Sequence, residues 1–124
     1  MMSKYEVGQL ITIDCARFVY DGVAYSRFKG VNLHKLCEIG VDDYGKVFAT
    51  DNVWYFTDEE LAMANELSPT HWQSLVERII RIKYPNLTAM QTNGAVMDIV
   101  DRCFAHDIPK MHELNAYIDA YMNA

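Results

Sequence analysis

The hydrophobic period of this chain changes once, at Thr57-Asp58-Glu59-Glu60, and that change constrains the fold more than any other feature. Before it, apolar residues recur every second position or in short β-branched and aromatic runs, as strands require. After it they recur at three and four, as amphipathic helices require. The switch segment has the form of a capping box, in which the Thr57 hydroxyl and the Glu60 carboxylate satisfy each other's backbone N–H groups.

In the first half, Leu10, Thr12 and Asp14 alternate with Ile11, Ile13 and Cys15. Asp21-Gly22 sits between the apolar runs Phe18–Tyr20 and Val23–Tyr25 and predicts a type I′ hairpin turn. Asp42-Asp43-Tyr44-Gly45 predicts a second turn and Asp51-Asn52 a third, before Val53-Trp54-Tyr55-Phe56. Five or six short strands would leave unprotected edges in a flat sheet, so a small barrel is expected. In the second half, Ser68-Pro69 predicts a helix start, with Trp72, Leu75, Val76, Ile79 and Ile80 on one face. Residues 85–93 read as a loop. Val96, Ile99, Val100 and Cys103 form a further helical face, and Pro109 opens a last helix with Met111, Leu114, Ile118 and Tyr121 in a stripe. The expected fold class is α+β: an N-terminal barrel or sheet over 1–66, with a short terminal helix, and a packed helical subdomain of about three helices over 67–124.

The N-terminal half resembles the small SH3-like barrels of phage and mobile-element proteins of Gram-positive bacteria. The matching residues are Tyr5-Glu6-Val7-Gly8, Gly45-Lys46-Val47 and the stretch from Val53 to Leu61, where an aromatic strand runs into an acidic helical turn. The resemblance implies a binding module. With the small size and acidity it implies an inhibitor of the kind phages encode, including anti-CRISPR proteins that disable Cas9.

Charge bears on the partner. The 124 residues carry 11 basic and 17 acidic groups, net −6. Residues 1–66 account for 6 basic and 11 acidic of these, so the negative charge is concentrated in the strand half. Non-specific nucleic-acid binding needs clustered Lys and Arg and is disfavoured; around residues 95–122 only Arg102 and Lys110 are basic. A protein partner with a basic surface, such as Cas9, fits this balance. The expected contact residues are Asp42, Asp43, Asp51, Trp54, Tyr55, Asp58 and Glu59, aromatic anchors among carboxylates. An SH3-like adaptor that binds peptide through aromatics is the alternative, and a nucleic-acid-binding accessory protein the second. No apolar run is long enough for a membrane span, and Met1–Glu6 has no apolar signal-peptide core. The expected location is the cytoplasm, that of a bacterial host if the chain is phage-encoded.

No nucleophile elbow, His-Glu-x-x-His or Gly-rich phosphate loop is present, so no catalytic residue is assigned. One spacing is suggestive of a metal. His34 and Cys37 are three apart, as are Cys103 and His106, and together they compose a Cys₂His₂ set suited to structural zinc. Cys103 and His106 would share a helical face. His34 and Cys37 converge only if the chain turns between them, because a straight strand sends them to opposite sides. The competing reading makes both cysteines packing residues and both histidines surface residues.

Overall fold

The computed structural model describes residues 5–13, 16–62, 70–103 and 109–124. Four strands form one antiparallel sheet in the order β1-β2-β3-β4: β1 Leu10–Ile13, β2 Ala16–Ser26, β3 Val31–Val41 and β4 Val47–Thr57. Helices α1 Asp58–Ala62, α2 Thr70–Lys83, α3 Ala89–Cys103 and α4 Met111–Met122 follow. The α+β class and the strand-to-helix switch at Thr57 agree with the sequence reading. The closed barrel does not: the sheet is open, with β1 and β4 at its edges.

Long strands replace the many short ones because two expected turns are bulges. Tyr20 pairs with Leu36 and Val23 with His34, so Asp21 and Gly22 together oppose the single residue Lys35. Gly22 takes φ +113°, which a side chain would resist, and β2 continues through it. The reversal comes later, over 27–30, where Gly30 N–H donates to the Ser26 carbonyl and Gly30 has φ +68°. Asp51-Asn52 likewise lies inside β4. Cys37 pairs with Val53 and Ile39 with Ala49, leaving Thr50, Asp51 and Asn52 opposite Glu38. The Thr50 hydroxyl donates to the Glu38 carbonyl across this bulge.

The Asp42–Gly45 turn forms as expected. Asp42 Oδ1 accepts from the N–H groups of Tyr44 and Lys46, each at 2.9 Å, an Asx-type arrangement. Asn115 of α4 then fastens the turn to the helices: it donates to the Gly45 carbonyl at 2.8 Å and accepts from Val47 N–H at 2.9 Å.

Adjacent strand residues enter two cores, one on each face of the sheet. Leu10, Val19, Cys37 and Val47 join Trp72, Leu75, Val76, Ile79 and Ile80 of α2, Val96, Ile99 and Val100 of α3, and Leu114 and Ile118 of α4. Strand and helix residues thus share this core. On the opposite face Ile11, Phe18, Tyr20 and Leu36 form a smaller core with Leu61 of α1, and Tyr5 and Phe56 pack against it. The Thr57 box that starts α1 is present, with Thr57 N–H donating to Glu60 Oε1 and Glu60 N–H to the Thr57 hydroxyl.

The apolar faces of α2 and α4, and Val96, Ile99 and Val100 of α3, are those the periodicity predicts; the side chain of Cys103 lies outside the described residues. The start of α3 differs: part of the expected loop 85–93 is helix from Ala89, begun by a second reciprocal box between Thr88 and Gln91. The expected helix start at Ser68-Pro69 lies outside the described residues. No helix among the described residues is long and apolar enough to cross a membrane.

Candidate interaction surface

The expected contact residues divide into two groups once placed in the fold. Asp42 and Asp58 have internal duties. Asp42 builds the turn described above. Asp58, the first residue of α1, lies 2.5 Å from Nε2 of His34 through Oδ1, and Asn32 donates to its other oxygen at 3.3 Å. Asp58 is exposed despite these bonds, as are Asp43, Asp51, Trp54, Tyr55 and Glu59.

Strand alternation predicts that either Trp54 with Phe56 or Val53 with Tyr55 is core. The structure departs from this. Phe56 alone packs, edge-on to Phe18 with ring centroids 6.1 Å apart. Val53, Trp54 and Tyr55 are 36%, 52% and 59% exposed. The cause is position: β4 is an edge strand, α4 reaches it at Val47 and α1 begins only after Thr57. Between those points the register puts Trp54 on the His34 side of the sheet and Tyr55 on the opposite side, and among the described residues no helix covers either side chain. Val23 and Tyr25 of β2, on the His34 side, are exposed as well. Large apolar residues exposed together mark an interaction surface more specifically than singly scattered ones do. Next to them the β4 bulge borders an open groove of about 570 Å³ lined by Arg17, Glu38, Thr50, Asp51 and Asn52. Burial, with nearby Arg78 adding to it, lowers the Arg17 pKa; the guanidinium donates to the Ser74 hydroxyl at 2.5 Å.

The proposed metal ligands are not drawn together in the described part. β3 runs straight through 33–37, without the turn that convergence requires. His34 enters the smaller core and Cys37 the larger one, on opposite faces. Burial raises the Cys37 pKa and keeps it a thiol. Cys103 ends α3, and its side chain and His106 lie outside the described residues. Among the described residues no group of three His, Cys, Asp or Glu side chains is placed to hold a metal ion.

His34 has other partners, which local spacing does not reveal. It is 4% exposed, and its Nδ1 lies 2.7 Å from the hydroxyl of Tyr20, itself 1% exposed. A carboxylate only accepts, so Nε2 carries a proton toward Asp58; in the neutral ring Nδ1 then accepts from the Tyr20 hydroxyl. This chain ties β2, β3 and α1, and it satisfies the buried Tyr20 hydroxyl and His34 ring, whose polar atoms would otherwise each cost about 1–3 kcal/mol. The residues are 14 and 24 apart in sequence. Their only sequence signal is a strand histidine whose facing residue on the neighbouring strand is known.

The hydrogen bond from His34, against a smaller opposing effect of desolvation and with help from Asn32, holds the Asp58 carboxyl below its ordinary range. The folded value is the lower one. The contribution is therefore in place above the unfolded value, ~3.9, and is lost as pH falls through the folded value. Asp58→Asn is expected to be less stable than wild type at pH 7, with the gap closing below about pH 4. Denaturant melts across that range check it; a gap constant with pH would contradict it.

No family model, curated protein or solved structure matches this chain.

Proposed function

We propose that this protein acts by binding another protein through the outer part of its sheet, around Val53, Trp54 and Tyr55 of β4. The exposure of these three consecutive residues on an edge strand is the observation that carries the reading. Such residues supply interface energy on burial, and Trp and Tyr are the commonest anchors. Asp51 and Glu59 flank them in sequence, and Asp43 adds negative charge at the β3–β4 turn, which speeds encounter with a basic surface and helps select it.

The concrete form of the proposal is a phage-type inhibitor that occupies a basic, nucleic-acid-binding surface of an enzyme such as Cas9. Its supports are the net charge of −6 and the acidic rim of the sheet. The SH3-like reading belongs to the same proposal, now as an open variant in which an aromatic strand leads into an acidic helical turn.

Binding of purified Cas9–guide complex to the immobilised full chain, at low and high salt, tests this form. The triple variant Asp43→Lys, Asp51→Lys, Glu59→Lys is expected to bind at least tenfold more weakly at low salt, with a smaller difference at high salt. Asp42 and Asp58 stay unchanged because they hold the fold. Absence of binding at either salt would rule out Cas9. Binding insensitive to both salt and charge reversal would rule out the electrostatic part.

A further inference from the structure

The way the exposed residues are disposed narrows the kind of contact they can make. Trp54 pairs with Leu36 and Tyr55 with Lys35, so the two aromatic side chains leave opposite faces of the sheet. A partner lying over one face would reach only one of them. A partner running along the edge reaches both.

The two edges of the sheet are also unequally protected. β1 is only four residues long and its side chains are largely buried. Natural edge strands are commonly blunted by lysine, proline, bulges or shortness. β4 is eleven residues long and contains no Lys, Arg or Pro. Its bulge is confined to Thr50–Asn52, which leaves Val53–Phe56 as a regular apolar edge on which Val53, Trp54 and Tyr55 are exposed; the next N–H, of Thr57, is already bonded to Glu60. An edge of this kind is a template for strand addition: main-chain hydrogen bonds supply affinity and alternate side chains supply specificity.

Charge selects the occupant. Asp51 precedes the regular edge and Glu59 follows it, and both are exposed. A second copy of this chain, added antiparallel on β4, would bring the Asp51 end of one molecule against the Glu59 end of the other, like charge against like. A basic segment meets no such repulsion. The four residues Val53–Phe56 span about 13 Å of strand, and the two carboxylates lie beyond its ends, so their partners flank the added run.

We infer that β4 takes up, as an added strand, an extended segment of a partner protein with Lys or Arg on both sides of a proline-free, β-branched or apolar run of about four residues. This rests on the protein-binding reading above and specifies its chemistry.

Selection of a displayed library of random 12-residue peptides on the full chain tests it. Selected peptides are expected to lack proline in the central run and to carry basic residues on both sides of it. N-methylation of alternate backbone amides in the central run, in one of the two possible registers, should weaken them at least tenfold. Trp54→Ala should weaken them similarly, and binding should shift tryptophan emission, which reports on Trp54 because Trp72 is already fully buried. Peptides that tolerate N-methylation in both registers but respond to Trp54→Ala would overturn strand addition and leave the protein-binding surface standing. Acidic consensus sequences, or a dimer of the chain itself dissociated by Tyr55→Lys, would overturn the choice of occupant. Peptides insensitive to Trp54 and Tyr55, or no enrichment, would overturn strand addition at this edge.

Discussion

Trp72→Ala is expected to remove about 3–5 kcal/mol of stability, a large share of the ~5–15 kcal/mol available to a domain of this size. The indole is fully buried on α2, in the core that the sheet shares with the three long helices. Its removal leaves a cavity that Ile79, Ile99 and Leu114, each held in its own helix, cannot fill. The chain has only one other tryptophan, which supplies the control. Trp54 is half exposed on an edge strand, so Trp54→Ala is expected to cost under ~1 kcal/mol. Chemical denaturation of the two variants makes the comparison. Similar losses from both would mean that β4 is covered in the native protein, contrary to the open edge described above.

Gly45→Ala is expected to cost about 2–4 kcal/mol, for two reasons that act together. Gly45 has φ +81°, a region that residues with a side chain seldom occupy. A Cβ there would lie 2.5 Å from Cγ of Lys83 and 3.3 Å from the carbonyl oxygen of Ile79. The lysine cannot simply swing away, because its ammonium group is 2.5 Å from Asp119 of α4, and Tyr84 donates to the other oxygen of that carboxylate. Desolvation of Asp119 opposes its ionisation, and the bonds from Lys83 and Tyr84 overcome this to keep its pKa low. A methyl group at Gly45 would thus disturb the turn, the end of α2 and its tie to α4 at once. A thermal melt should show a fall on the order of 10 °C; an unchanged midpoint would mean that the turn and α2 do not meet this closely.

Where the sequence pattern and the fold agree, the signal is local. The apolar stripe of α2, the Thr57–Glu60 box and the Asp42–Gly45 turn each depend on residues within one or two turns of chain. The two turn errors have a common physical origin. A type I′ turn and a bulge both call for a glycine or small polar residue at positive or irregular φ, so Asp21-Gly22 satisfies either. The choice is made by what lies beyond: Val23–Ser26 can pair with Val31–His34, and that extended ladder wins over an early reversal. Asp51-Asn52 follows the same logic, with the Thr50 hydroxyl and Glu38 stabilising the irregular stretch. Strands that bend at bulges need not break, and three strands of eleven residues take the place of a barrel of short ones.

The candidate site was legible in part. Trp54 and Tyr55 stand out by residue type, as do the neighbouring carboxylates. Their joint exposure on opposite faces could not be read, since it follows from β4 being an edge. His34 is the clearest case of a local spacing that misdirects. Its separation from Cys37 suggests a shared ligand, whereas the straight strand turns it to the other face, toward Tyr20 and Asp58. Asp58 in turn has two possible duties by sequence, surface charge or internal acceptor, and only the position of α1 over β3 decides between them.

The most direct measurement of whether the β4 edge region is where this protein meets its partner is a paired capture from bacterial lysate containing Cas9–guide complexes. The wild-type chain is compared with Trp54→Ala/Tyr55→Ala and, as a control on the helical side, with Met90→Ser, an exposed residue of α3. The predicted result is a defined set of proteins retained by wild type and by the Met90 variant and lost with the double variant, all three chains being equally folded by circular dichroism. Retention of the same proteins by the double variant, or their loss with the Met90 variant instead, would contradict the assignment and move the interaction surface away from β4.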